Sequence, residues 1–212
     1  MNIADFAAYP TASLCNANPA VLSLSSAIKP LIPGKRIAGP ARTARITPGQ
    51  NAAIHRAVHE AALGDVLVVD GAGSDRFGPF GDLLADGCKA KGVAGAVFDC
   101  TVRDRADIAA LGFQVFARGF HPEATAKTDP GSTDIPVTVG GIRVCPGDIV
   151  VGDDDGVVVI PALLGPEILE QAAAVTARED AIRTRIQAGE TTYEIFGLGR
   201  GATAVAAGKD GP

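Results

Sequence analysis

Two uninterrupted apolar runs constrain this chain more than any other feature: Val66-Leu67-Val68-Val69 and Val93-Ala94-Gly95-Ala96-Val97-Phe98. Each is shorter than a helix and lacks polar alternation, as does a strand buried on both faces. Between them, residues 82–91 read as a helix that Gly92 stops. Strand, helix and strand in that order make a βαβ unit, whose strands run parallel with a right-handed crossover. The first run is followed by a glycine-rich stretch, DGAGSDRFGPFG, which reads as a loop.

The flanking segments extend the pattern. Residues 35–46 read as an extended segment interrupted by Gly39-Pro40. A turn then leads to a helix capped by Asn51, with Ile54, Val58, Ala61 and Ala62 at helical spacing and Gly64-Asp65 at its end. Phe113–Ala117 is another strand. The second half changes character: short strands joined by Gly-Gly, Pro-Gly and Asp-Gly turns between residues 135 and 161 read as antiparallel hairpins. Residues 163–188 form a long C-terminal helix ended by Gly189, and 198–212 are a loose tail. The expectation is one α/β domain over 1–212 with a mixed sheet.

Charge and composition exclude several classes of function. Nineteen basic and twenty-four acidic residues give a net charge of −5, against the basic footprint that nucleic acid requires. With no Trp and two Tyr, the chain has little from which to build a base-stacking platform. No stretch approaches the ~18 apolar residues of a membrane span. The first twenty residues lack a basic segment followed by an apolar one, so the protein is expected in the cytoplasm. Cys15, Cys88, Cys100 and Cys145 are scattered and read as small buried hydrophobes in a reducing compartment.

Several familiar motifs fail on their chemistry. GAGSDRFG places Arg76 where a dinucleotide fingerprint needs its third glycine, and no Gly-Lys-Ser/Thr follows for a phosphate loop. His55 and His59 are four apart on one helix, but H-R-A-V-H lacks the glutamate of a zinc protease, and they read as surface or interface histidines. Asp153-Asp154-Asp155-Gly156 lacks the alternation of a calcium loop and reads as a hairpin turn.

What remains is set by topology. In a parallel unit, the loops after both strands meet at one sheet edge, where open α/β sheets bind ligands. The first loop ends in Gly81-Asp82-Leu83-Leu84, a helix first turn whose unpaired N–H groups suit a carboxylate or phosphate. The second supplies Arg103, a planar fork of donors for a carboxylate or carbonyl, beside Asp104, which could ligate a hard cation or simply pair with Arg103 at a turn.

At these residues the chain resembles the RraA-like family, which includes class II 4-hydroxy-4-methyl-2-oxoglutarate/4-carboxy-4-hydroxy-2-oxoadipate aldolases and RraA-type regulators of ribonuclease E. An acidic residue, twenty intervening residues and Arg-Asp is the aldolase signature, met by Asp82, Arg103 and Asp104. RIAGPARTARITPGQNAAIHRAV, GGIRVCPGDIVVGDDDGVVVIP and ARED…IRTRIQAGE also match, so the resemblance spans a core of about residues 20–197. It implies a β/β/α swivelling-domain fold with a mixed sheet and long C-terminal helix, assembled as trimers or hexamers with sites between subunits. It further implies that backbone N–H groups of Gly81 to Leu84 hold a pyruvate-type carboxylate and that Arg103 holds the substrate and its enolate oxygen. Asp104 would bind a divalent cation, Mg2+ or Mn2+, and Asp82 would orient water on that cation. Glu179 would reach the site from a neighbouring subunit.

The activity so implied is retro-aldol cleavage of a 4-hydroxy-2-oxo acid to pyruvate, with oxaloacetate decarboxylation passing through the same enolate. The segment 119–135 is expected to set the distal half of the substrate. Lys89 and Lys91, near an exposed helix end, offer no Schiff-base route. The alternative is a non-catalytic regulator of ribonuclease E. Such members tend to lack the aspartate after the arginine, which this chain keeps. A methyltransferase is discounted because no adenosyl-binding glycine loop is present.

Overall fold

The computed structural model describes residues 2–201 and builds a ten-stranded mixed sheet around the expected βαβ unit. A 3-10 turn (Ile3–Ala8) and α1 (Thr11–Ala17) precede two short strands, β1 (Leu22–Ser23) and β2 (Lys29–Pro30). The extended segment is β3 (Ile37–Arg45), followed by α2 (Ala52–Glu60). The unit itself is β4 (Val66–Ser74), α3 (Asp82–Ala90) and β5 (Gly95–Val102), and α4 (Arg105–Leu111) leads on to β6 (Val115–Ala117). Strands β3, β4, β5 and β6 pair in parallel, side by side. All eight residues of β5 are buried, which is why the run shows no alternation.

Two pieces, β7 (Gly119–Phe120) and β8 (Ser132–Thr133), tie both ends of the 119–135 segment to β5 and β3. Then come β9 (Val137–Val139), β10 (Ile142–Val144), β11 (Ile149–Gly152) and β12 (Val157–Ile160). The sheet order is β1-β12-β11-β3-β4-β5-β6-β2, parallel in the middle and antiparallel toward both edges. The long helix is α5 (Gly165–Gln187), preceded by a 3-10 turn at Ala162–Leu164; Gly189 follows it at φ 99, and α6 (Thr192–Ile195) comes after. Of the tail expected to be loose, Leu198–Gly201 forms a 3-10 turn and the rest lies outside the described residues.

Three apolar layers hold the sheet. Helices α2, α3 and α4 cover one face through Ile54, Ala85 and Ile108, in one cluster with Phe80, just ahead of α3, and Phe98 of β5, all fully buried. The β9–β10 hairpin covers the other through Val137, Val139 and Val144. The third layer packs α5 and the N-terminal segment on β11 and β12, with Phe6 and Leu14 fully buried against Ile149, Ile160 and Ile168. Residues ahead of position 20 therefore belong to the packed body.

Two expectations need correction, and one holds. The glycine-rich stretch is not all loop, because β4 continues through it to Ser74 over a register shift, with Ala72 and Gly73 at φ 57 and 68. A Cβ at Gly71 would stand 2.6 Å from the Cys100 side chain, so glycine is required there by close packing. The antiparallel hairpins form as expected, β9 with β10 as a separate two-stranded sheet and β11 with β12 in the main sheet, where β11 also joins β3. Of the cysteines, only Cys88 and Cys100 are buried, their thiols pushed up to about 12 by burial; Cys15 is exposed and Cys145 half-buried.

The aspartate run does form the β11–β12 turn, closed by backbone bonds between Asp153 and Gly156. Asp153 also has a second task. It is buried, and its carboxylate accepts from Thr11 N at 2.8 Å and Thr11 Oγ1 at 2.7 Å, anchoring the start of α1. Asp153→Ala leaves these donors without their charged partner and is expected to cost about 2–3 kcal/mol. Urea unfolding should show a lower midpoint with an unchanged slope. Among the described residues, no helix is long and apolar enough to cross a membrane.

Candidate functional site

The parallel strands β4 and β5 end at one edge, and the segments leaving them are stitched together there. Arg103 N donates to Phe80 O at 2.9 Å. The next residue, Asp104, takes a left-handed conformation (φ 55), which Asp tolerates better than most side chains. Its carboxylate reaches the N-terminus of α3: Oδ2 accepts from Asp82 N at 3.3 Å and lies 3.3 Å from Arg103 Nε. Gly81 makes this approach possible, since a Cβ there would stand 2.2 Å from Asp104 Oδ2 and 3.1 Å from Arg103 Nε. Its φ of −138 is ordinary extended backbone, so the requirement is for space.

Arg103 and Asp104 are both about one-third exposed, and Arg103 Nε is buried without a well-directed hydrogen bond. Among the described residues, no carboxylate other than Asp104 pairs with Arg103. A pocket of about 110 Å3 opens beside it, lined by Gly81, Asp82, Leu83, Leu84 and Arg103. Five of the residues singled out in the sequence thus meet around one cavity, with Asp104 bonded to its rim. Leu83 is 82% exposed, so its part in the pocket is not packing into the core.

Five further residues line the same pocket and were not assigned to a site from the sequence: Gly78 and Pro79, and three with polar side chains, Asn51, His55 and Lys127. Asn51 sits at the cap position of α2 but makes no side-chain cap bond, contrary to expectation. Its Nδ2 donates instead to Pro79 O at 3.0 Å, and its buried Oδ1 has no partner. His55 follows one helical turn later. Lys127 arrives on the 119–135 segment, which is laid against the start of α2. There Ala126 exchanges backbone bonds with Gly49 and Asn51, Gln50 Oε1 accepts from Thr128 N and Asp129 N, and Thr47 Oγ1 donates to Asp129 at 2.6 Å. The Asn51–His55 spacing was a usable signal for one helix face; nothing near Lys127 in sequence pointed to the site.

Burial and the Lys127 ammonium hold the His55 imidazolium below the usual histidine range. Removing the neighbouring positive charge makes protonation easier, so Lys127→Met should raise the His55 pKa. It should not restore the ordinary value fully, because burial remains. An NMR titration of the histidine ring signals reads this directly, and an unchanged or lowered His55 pKa would contradict the arrangement.

Glu179 stands apart. It lies on α5, where Ser13 Oγ donates to it at 3.2 Å and Arg183 approaches at 3.8 Å, and it lines neither cavity that borders Arg103. Within one chain it does not join the other candidate residues.

The donor set bears on the implied divalent cation. Among the described residues, no group of three or more His, Cys, Asp or Glu side chains could enclose a metal. Asp104 Oδ2 is engaged, whereas its Oδ1 takes no hydrogen bond among the described residues. One free carboxylate oxygen on an open rim suits a hard cation that keeps most of its waters, as Mg2+ does, and does not suit a four-coordinate nitrogen–sulfur site.

Sequence and fold comparisons relate the chain to known proteins. The RraA-like family, described as Aldolase/RraA, matches residues 11–159. A protein of Halalkalibacterium halodurans named "Putative 4-hydroxy-4-methyl-2-oxoglutarate aldolase" is 38% identical over 190 residues, covering 88% of this chain and 90% of that one. The structure of Streptomyces coelicolor RraAS2, described as an unusual member of the RNase ES inhibitor RraA protein family, superposes with a TM-score of 0.78 at 32% identity, over 86% of this chain and 96% of that one. A Geobacillus kaustophilus structure described as an S-adenosylmethionine: 2-dimethylmenaquinone methyltransferase gives 0.67 at 34% identity, over 72% and 94%. Three relatives carry three different activities in their names. Likeness of fold does not choose among them, and the choice rests on side chains.

Proposed function

The chain belongs to the RraA-like family, and from that premise we propose that it is a lyase cleaving a 4-hydroxy-2-oxo acid of the 4-hydroxy-4-methyl-2-oxoglutarate type to pyruvate, with oxaloacetate decarboxylation as a second activity. The supporting observation is the Arg103–Asp104 pair folded onto the start of α3 through the gap at Gly81.

In this reading each residue has a chemical task. Asp82 N is taken by Asp104, but the N–H groups of Leu83 and Leu84 belong to the same first turn and have no partner within the helix. They receive the pyruvyl carboxylate, which the positive end of α3 also favours. Arg103 donates to the C2 oxygen, where negative charge collects as the bond to C3 breaks. Asp104 Oδ1 would hold a divalent cation, Mg2+ or Mn2+, which when bound adds positive charge at the 2-oxo acid. Cleavage also requires the C4 hydroxyl to lose its proton; a water held by the Asp82 carboxylate takes it, aided by Glu179 from a neighbouring copy in a trimer or hexamer. Decarboxylation leaves the same enolate without needing that proton transfer, so one site serves both reactions.

A ribonuclease-binding regulator is the second reading, favoured by the likeness to RraAS2. Regulation by protein contact gives no reason to keep Asp104 in a left-handed conformation over a helix N-terminus. A methyltransferase is less well supported, because Gly71 and Gly73 lie inside strand β4 and not in a loop open to an adenosyl group.

The test is a coupled assay of pyruvate release from 4-hydroxy-4-methyl-2-oxoglutarate and from oxaloacetate, each with Mg2+ and again with excess chelator. Chelator-sensitive release from the first supports the aldolase, and the ratio between the two substrates ranks the activities. Release from neither overturns the proposal and turns attention to capture of a ribonuclease.

A further inference from the structure

Cleavage and decarboxylation both leave a pyruvate enolate, and both need one more proton, which C3 must receive before pyruvate can leave. The water on Asp82 serves the C4 hydroxyl, a group that oxaloacetate lacks. The C3 proton therefore has no donor among the residues given a task so far. Asn51, His55 and Lys127 line the same pocket and have no task in it. At about 110 Å3 the pocket has the volume of roughly four waters at ~30 Å3 each. A three-carbon acid seated on the N–H groups of Leu83 and Leu84 fills that space and comes within reach of the lining side chains.

Few of these groups can give and regain a proton. Arg103 cannot be deprotonated in a protein, and the amide of Asn51, held by Pro79 O at 3.0 Å, does not titrate. His55 differs. Its backbone N donates to Asn51 O at 3.3 Å, which sets its ring one turn along α2 on the same side. His121 has its Nδ1 occupied by Phe77 N at 3.3 Å and Glu123 N at 3.2 Å, whereas the His55 ring makes no hydrogen bond among the described residues. Both of its nitrogens are open to a ligand or to water. His55 also keeps an exposed side while burial acts on the other. The ring thus joins the pocket to solvent, as a proton carrier must.

We propose that His55 is the catalytic residue that protonates C3 of the pyruvate enolate. The proposal rests on the 2-oxo acid reading above and adds a proton carrier to it. In the step, a ring N–H bond breaks, the enolate electron pair forms the C3–H bond, and the C2 oxygen returns to a carbonyl. Neutral imidazole remains and takes its next proton from solvent. Run backwards on pyruvate, neutral His55 removes a C3 proton and the enolate forms again. Burial and Lys127 both disfavour the imidazolium, which makes the charged ring ready to release its proton. The titratable and charged groups about the ring are Lys127 on the 119–135 segment, Arg103 after β5, Asp82 at the start of α3 and His59 one turn further along α2.

The reverse direction supplies the test. Pyruvate in D2O with Mg2+ is followed by NMR for loss of its methyl proton signal, with wild type, His55→Gln, His55→Ala and Lys127→Met. Wild-type exchange should rise with pH as His55 loses its proton, and level off above the pKa read from its ring signals. His55→Gln should slow exchange roughly 10²- to 10⁴-fold, the range of a general acid–base group, with the half-saturating pyruvate concentration little changed. Lys127→Met should move the midpoint of the profile to higher pH, in step with the His55 ring titration. Free imidazole should restore part of the exchange in His55→Ala, which a purely structural role would not allow. Wild-type exchange in His55→Gln, or a profile that stays in place when the His55 pKa moves, overturns the proposal. So does a wild type that releases pyruvate from 4-hydroxy-4-methyl-2-oxoglutarate without exchanging methyl protons, and the lyase reading then stands alone. If wild type neither exchanges nor releases, that reading fails and the proposal with it.

Discussion

Asp104→Asn is expected to lower pyruvate release roughly 10²- to 10³-fold, the scale of losing one electrostatic group that acts on developing charge. Asparagine suits the test because it also tolerates the left-handed backbone found at Asp104. Its amide oxygen can still accept from Asp82 N, so the start of α3 keeps its cap. What is lost is the negative charge that a cation and the Arg103 guanidinium both use. The melting temperature should therefore change little while the Mg2+ dependence of the rate collapses. A variant that turned over at the wild-type rate, with the wild-type response to Mg2+, would place the cation elsewhere.

Gly81→Ala should be nearly as damaging by a different route. The added Cβ would lie 2.2 Å from Asp104 Oδ2, so the carboxylate must move by about 1 Å, and a displacement of that size can cost roughly 10²-fold in rate. Arg103 Nε, 3.1 Å from the same point, is disturbed with it. Gly87→Ala in the same helix is the control. There a Cβ would meet Val58 Cγ1 at 3.8 Å, an ordinary contact, and alanine in a helix interior should stabilise by about 0.5–1 kcal/mol. Equal activity in both alanine variants would show that Asp104 need not approach the N-terminus of α3.

Both predictions concern residues that are legible in the sequence. Gly81, Asp82, Arg103 and Asp104 follow two apolar runs, and a parallel βαβ unit has to bring the ends of its strands to one edge. The meeting of the first three around one pocket, with Asp104 bonded to its rim, needed only the unit to form. The extent of β4 was less legible, because a strand that continues through glycines over a register shift carries no apolar pattern to mark it. Asn51 departs from its expected role for a related reason. Asparagine before a helix is a cap by propensity, yet Pro79 O, from a segment almost thirty residues away, competes for its amide and wins.

Local periodicity in the sequence therefore determined the parallel strands, the helices between them, and the acid–arginine–aspartate set at their ends. Such patterns are written within one or two turns of chain, where burial on one face or two imposes its own spacing. Only the tertiary structure decided that Lys127 comes to His55, that Phe77 and Glu123 orient His121, and that Glu179 lies away from Arg103 in its own chain. Most of those contacts join residues from about forty to more than a hundred and sixty positions apart. They depend on where the 119–135 segment and the C-terminal helix return to the sheet, and no spacing along the chain encodes that return.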